Sequence, residues 1–128
     1  MIHLKNRSNL LTGFVLIVIS LVSCSSKQAD IMDKNKALFE AVDSGNVTLV
    51  TTILKDKPFL EQKHEKGRTA LMHAVYKRNN KIAALLINAG ANVNTQDDIK
   101  NSPFLYAGAE GNLELVKMAL SYGANFNI

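Results

Sequence analysis

The chain repeats itself with a fixed period of 33 residues. Leu38, Leu71 and Phe104 lie 33 positions apart, and an alanine stands three residues after each of them. The segment Gly90–Asn94 (GANVN) recurs 33 positions later as Gly123–Asn127 (GANFN). A fixed period of about 20–50 residues indicates stacked supersecondary units, in which each unit contacts its neighbours along the chain.

Each unit carries two short helical patterns that are separated by a turn. In the middle unit Leu71, Ala74 and Val75 follow the i, i+3, i+4 spacing of a buried helix face, and Thr69 can cap that helix through its hydroxyl. Helices are also predicted over 34–44 (capped by Asp33), 47–55, 81–88 (capped by Asn79 and ended by Gly90), from Ser102-Pro103 onward, and over 113–122. The segment 91–100 is extended and polar, which is typical of a hairpin finger.

These residues reach a known pattern. Gly67–Leu71 (GRTAL), Ser102–Leu105 (SPFL), the Gly-Asn turns and the two Gly-Ala-Asn segments resemble ankyrin repeats over about residues 34–128. The resemblance implies an all-α fold: a solenoid of two and a half to three helix-turn-helix units with short hairpin fingers, dividing as 33–64, 65–97 and 98–128.

The sequence departs from this pattern at specific positions. Both Thr-Pro-Leu-His equivalents lack the histidine that links neighbouring repeats, and Arg78 and Lys100 stand where glycines are usual, so we expect a less stable stack than a consensus array. The chain stops after the third unit without a polar closing repeat. A truncated longer pattern is the favoured explanation, while a partner that covers the end or a fraying last helix are the alternatives.

The first 23 residues have the features of a secretory signal peptide. Lys5 and Arg7 precede an apolar run at 10–22, which is too short for a bilayer span of about 20 residues. The run ends in Leu-Val-Ser-Cys, which resembles the lipobox of bacterial lipoproteins. The resemblance implies cleavage after residue 23, lipidation of Cys24, and a lipidated cysteine and tether over 24–32 without a helical pattern. Ser25 resembles an outer-membrane sorting signal, and an uncleaved anchor is the alternative.

Charge and side-chain chemistry exclude several classes of function. The net charge of +4 includes Lys5 and Arg7, and without the signal peptide 13 basic and 11 acidic residues remain, so no nucleic-acid partner is indicated. His64 and His73 lack further ligands at metal-binding spacing, and Asp97 is interpreted as a cap of the finger turn. The sequence contains no catalytic set, so we predict neither an enzyme nor a cofactor nor a metal site.

The resemblance places partner contacts on the finger tips and the exposed faces of the first helices. Tyr76 and Arg68 are the residue types that most often anchor interfaces. The complete set predicted to contact a protein partner is Glu65, Lys66, Arg68, Tyr76, Lys77, Asp98, Ile99, Asn101 and Glu110, with Asp43, Ser44 and Ala109 at matching positions.

Three hypotheses of function follow, besides that of a fragment that does not fold. The first is a lipid-anchored protein–protein interaction module of the bacterial envelope, on the periplasmic side of the outer rather than the inner membrane. The alternative is a periplasmic immunity or stress-protective lipoprotein that blocks a toxic enzyme. The third, an enzyme or metal protein, has no supporting residues in the sequence.

Overall fold

The computed structural model describes residues 26–127, which fall into two compact units that divide between residues 33 and 34. In the first unit the described residues, 26–33, are helical and exposed. The second unit, 34–127, begins with helical residues that run to 43, and we call 34–43 α1. It continues with α2 (Val47–Leu54), α3 (Ala70–Tyr76), α4 (Asn80–Asn88), α5 (Pro103–Ala109) and α6 (Leu113–Ser121), and a short 3₁₀ turn, Glu65–Gly67, precedes α3.

The helices pair as the 33-residue period predicts. Within the second and third repeats α3 packs on α4 and α5 on α6, and across the repeat boundary α3 contacts α5 and α4 contacts α6. No strand is assigned anywhere in 26–127, and the finger tips are closed by single backbone bonds. The amide of His64 donates to the carbonyl of Arg68 at 2.9 Å, and the amide of Asp97 donates to that of Asn101 at 2.9 Å. The predicted all-α repeat fold is therefore confirmed.

The recurring asparagines cap the second helix of every repeat. The side chains of Asn46, Asn79 and Asn112 accept hydrogen bonds from the backbone amides three residues later, at 3.0, 3.1 and 3.4 Å. Thr69 and Ser102 cap α3 and α5 in the same way, with Pro103 at the first turn of α5. Because each helix has nine or fewer residues in this part of the chain, these caps satisfy a large share of its unpaired amides.

Two sequence predictions near the start of the repeats are wrong. The segment 26–32, expected to lack helical structure, is helical, and Asp33 lies inside the helical residues instead of capping them. Ser26 to Asp33 contains neither glycine nor proline, so no residue of this segment interrupts a helix. The helical state does not bear on its predicted role as a tether, which stays a prediction.

The core lies between the paired helices. Leu38, Leu71, Ile82, Leu86 and Leu115 are each 2% exposed or less and belong to one continuous cluster of buried apolar side chains. Met72 is also fully buried, as its predicted packing role requires, whereas Met118 is half-buried. The 33-residue spacing of Leu38, Leu71 and Leu115's own series thus marks positions that are buried between successive units.

Polar side chains link neighbouring repeats even though the family's histidine is missing. The Asn80 and Asn112 amides bond each other, and Asn80 also donates to Glu114 at 2.6 Å. Lys63 Nζ donates to the Gln96 carbonyl at 2.8 Å. Arg78 and Lys100, which replace glycine, adopt the left-handed backbone with φ of 57° and 66°. Non-glycine residues pay roughly 1–2 kcal/mol in this conformation, which agrees with the expectation of a stack below consensus stability.

Candidate protein-binding surface

The tips of the second and third fingers are held together by backbone contacts. The amide of Asp98 donates to the carbonyl of Lys66 at 3.1 Å, and both Lys66 and Gly67 have a positive φ. A Cβ at Gly67 would meet the side chain of Asp98 and lie 2.9 Å from its backbone nitrogen. The tips therefore form one continuous edge on which the side chains of Glu65, Lys66, Asp98 and Ile99 are exposed.

Arg68 lies between two tyrosines and joins two repeats. Its guanidinium carbon is 4.6 Å from the ring centre of Tyr76 and 5.5 Å from that of Tyr106, and Nη2 donates to the Tyr106 hydroxyl at 3.2 Å. The Tyr106 hydroxyl in turn donates to Asp97 at 2.7 Å. Sequence reasoning placed Arg68 among free contact residues, but it is half-buried and forms part of this chain of bonds.

Asp97 has the structural role that its position predicts. One carboxylate oxygen accepts from the amides of Ile99 and Asn101, at 3.0 and 2.9 Å, and the other accepts from Tyr106. Burial of Asp97 raises its pKa, but the hydrogen bonds from Tyr106 and the two amides outweigh that effect and leave the pKa below its usual value. The carboxylate thus stays charged and holds the turn.

A cluster of aromatic rings and one carboxylate joins α1, the first finger and α3. Phe39 stacks on His64 with ring centres 3.8 Å apart and lies 4.7 Å from His73. His73 Nε2 is 2.7 Å from Asp43, which also receives Lys77 Nζ at 2.9 Å. The hydrogen bonds from His73 and Lys77, together with the charge of Lys77, hold the pKa of Asp43 below its usual value.

This cluster forms the floor of a cleft of about 420 Å³ beside the finger tips. The cleft combines apolar ring surface with charges of both signs. It is lined by Lys36, Phe39, Glu40, Asp43, His64, Glu65, Lys66, Arg68 and His73. A surface of this kind can accept a side chain of a protein partner, and three of its lining residues, Glu65, Lys66 and Arg68, were predicted as partner contacts.

The structure brings most of the predicted contact residues to one side and separates one of them. Tyr76 is 51% and Ile99 72% exposed, so both offer apolar area to a partner. Lys77 is engaged with Asp43, Asn101 is half-buried, and Glu110 pairs with Arg78 at 3.6 Å away from the cleft. No measurement of binding bears on these residues, and their role as contacts stays a prediction.

Sequence reasoning missed Phe39, Lys36, Glu40 and Tyr106. Phe39 occupies the position that Met72 and Leu105 hold in the next repeats, so the period marks it as a packing residue. Its contact with two imidazoles depends on the path of the finger, which the period does not specify. A partial signal was present, because the sequence has an aromatic or histidine at the neighbouring positions His73 and Tyr106.

The His64 cluster predicts a loss of stability in mild acid. Burial, and secondarily the nearness of His73, lower the pKa of His64 below its ordinary 6.5. The folded protein therefore disfavours the proton: the contribution is present above about pH 6.5 and is lost as the pH falls through the lower, folded pKa. Asp43 and Asp97 act in a separate window, below about pH 3.8, because their pKa values are lowered from that value.

We expect the melting temperature to fall between pH 7.5 and pH 5, and to fall less in a His64→Phe variant. Phenylalanine keeps a ring against Phe39 and takes up no proton. Thermal melts of both proteins at pH 7.5, 6.5 and 5.0 make the comparison. An equal fall in the two proteins would show that His64 does not carry the effect.

Metal and membrane-spanning features were also sought in residues 26–127. No three histidine, cysteine or acidic side chains in this region come close enough to hold a metal ion together. Nor does any of its helices combine the length and the apolarity needed to cross a bilayer. Cys24 and the apolar run at 10–22 lie outside the described residues.

Comparison with known proteins agrees with the repeat architecture. A family model described as ankyrin repeats (3 copies) matches residues 10–97 and also 38–128. The human mitochondrial disaggregase is 37% identical over 81 residues, which cover 63% of this chain and 11% of that protein. A putative ankyrin repeat protein of Rickettsia felis is 32% identical over 82 residues, or 64% of this chain and 14% of the relative. The chain thus spans well under a fifth of the length of these relatives.

Proposed function

Because the chain belongs to the ankyrin-repeat family, a family of protein-interaction modules, we propose that it is a lipid-anchored interaction module of a bacterial cell envelope. The protein partner meets the cleft and the finger-tip edge. Catalysis is not part of this function, since stacked repeats of this family generally bind without transforming their partners.

The observation that carries the binding proposal is the exposed surface around the cleft. Tyr76 is half exposed beside the Arg68 guanidinium, and Ile99 projects from the neighbouring finger tip with 72% of its surface open. Tyrosine and arginine supply large contact areas with little loss of side-chain freedom, which is why they dominate interface energetics. The charged residues of the finger tips, Glu65, Lys66 and Asp98, surround these anchors with a polar rim.

Support for the anchor comes from the sequence before the repeats. A positive start, an apolar run of 13 residues and Leu-Val-Ser-Cys occur in the order that lipoprotein processing requires. Two or more acyl chains on Cys24 would give stable membrane attachment, since each buried methylene contributes about 0.8 kcal/mol. We place the repeats on the periplasmic side, at the outer rather than the inner membrane, because Ser25 follows the cysteine.

Cys24→Ala tests the anchor. We expect this variant to accumulate as an unprocessed precursor or outside the membrane fraction, because no thiol is left for lipid attachment. The measurement is intact-mass spectrometry of the protein recovered from each cell fraction, with Ser25→Ala as the matched control, which should be processed like the parent.

Recovery of Cys24→Ala in the membrane fraction at the mass of the processed parent would contradict lipidation. The same experiment separates a second interpretation of this region, because one of the family matches begins at residue 10. If residues 10–23 belong to a folded repeat, the parent protein will keep them, and its mass will be that of the full chain.

A further inference from the structure

The outward face of the third repeat is more open and more apolar than its counterpart in the second repeat. Ile87 and Val93 are both 2% exposed in the second repeat. The residues 33 positions later are Leu120, which is 46% exposed, and Phe126, which is 69% exposed. Leu113, at the start of α6, is 62% exposed. We call the surface formed by Leu113, Leu120 and Phe126 the end face.

The end face also lacks the polar residues with which the second repeat holds the third. Asn80, which bonds Asn112 and Glu114, is replaced by Leu113 at the equivalent position. Asn88, which accepts from the Tyr122 hydroxyl at 2.6 Å, is replaced by Ser121, and Arg68 by Asn101. A further repeat of the same kind would find none of these partners, so the face is suited to a different contact that is mainly apolar.

We propose that the end face is a self-association surface, at which two copies of the chain meet around a two-fold axis. A two-fold contact requires one patch that is complementary to itself, and three large apolar side chains satisfy this requirement. This inference does not rest on the lipid anchor or on the cleft, and it holds or fails without them.

The charges around the end face are also complementary to themselves. Lys117 lies on α6 between Leu113 and Leu120, and Glu114 lies on the same helix one turn earlier. Both are exposed. Across a two-fold axis the lysine of each copy can reach a carboxylate of the other, whereas a purely apolar partner would leave Lys117 unpaired. A small contact of this kind binds weakly, and membrane attachment of both copies would raise their local concentration.

Cysteine crosslinking of the full chain in intact cells tests the proposal. Ser121→Cys places a thiol beside the end face, where a two-fold contact brings it near its own copy. We expect a disulfide-linked dimer after mild oxidation, at least ten-fold weaker when Phe126→Lys or Leu113→Gln is added. Lys55→Cys, at the same position of the first repeat, and the parent, whose single cysteine is Cys24, are the controls and should give no dimer.

Each result decides the question. Both added substitutions replace exposed side chains, so the variants should fold, and an unchanged melting temperature will confirm that they do. Absence of the dimer in Ser121→Cys, or a dimer that Phe126→Lys and Leu113→Gln leave unchanged, would overturn the proposal. A crosslink to a different protein in place of the dimer would overturn it as well and identify another occupant of the face.

Discussion

Leu71→Ala should unfold most of the protein. Leu71 is 1% exposed and lies on α3, which packs on both α4 and α5, so its side chain is enclosed by two repeats. Removing a buried leucine side chain costs about 2–5 kcal/mol, because the transfer energy is lost and a cavity remains. The whole free energy of unfolding of a small domain is about 5–15 kcal/mol, and a stack of three repeats belongs at the lower end.

Urea unfolding followed by circular dichroism measures the effect of Leu71→Ala. The matched control is Ile99→Ala, which removes an apolar side chain of similar size that is 72% exposed and should change the free energy of unfolding by no more than about 0.5 kcal/mol. If Leu71→Ala unfolds at the same urea concentration as the parent, the packing of α3 is wrong.

Gly67→Ala is expected to have the second largest effect. Gly67 has a φ of +69°, and an added Cβ would press on the Asp98 side chain and on its backbone nitrogen, 2.9 Å away. The left-handed backbone costs alanine about 1–2 kcal/mol, and forcing the two fingers apart adds about 1–3 kcal/mol.

Gly111→Ala separates these two contributions. Gly111 has a similar φ of +65°, but nothing lies within 4 Å of an added Cβ. Its substitution should therefore show the backbone cost alone. The free energies of unfolding of both variants, measured by urea titration, should differ by the cost of the finger contact. Equal losses would mean that Asp98 does not pack against Gly67.

The repeat period alone predicts the architecture because it reports the same packing positions three times. Leu38 and Leu71 are buried as the period requires, and Asn46, Asn79 and Asn112 cap equivalent helices. The resemblance adds Arg78 and Lys100, which adopt the backbone of the glycines that they replace. These features are local or recur in each repeat, so a single sequence contains enough information to place them.

The site is less predictable because its contacts break the period. His73 and Tyr106 occupy equivalent positions, yet one bonds Asp43 and the other bonds Asp97 and Arg68. Which partner each side chain finds depends on the path of a finger and on rotamers in a neighbouring repeat. For the same reason Arg68 was predicted as a free contact, although the tyrosines on either side hold it in place.

The most direct test of the central claim is capture of the partner from intact cells. Crosslinking the full chain in its own envelope, followed by mass spectrometry, should recover one protein in near-equal amount. We expect Tyr76→Ala to reduce that recovery at least ten-fold, since it removes an exposed anchor beside Arg68. Phe59→Ala, which removes another aromatic ring that is 58% exposed, should leave it unchanged. Recovery of no specific protein by a folded, anchored chain would contradict the account.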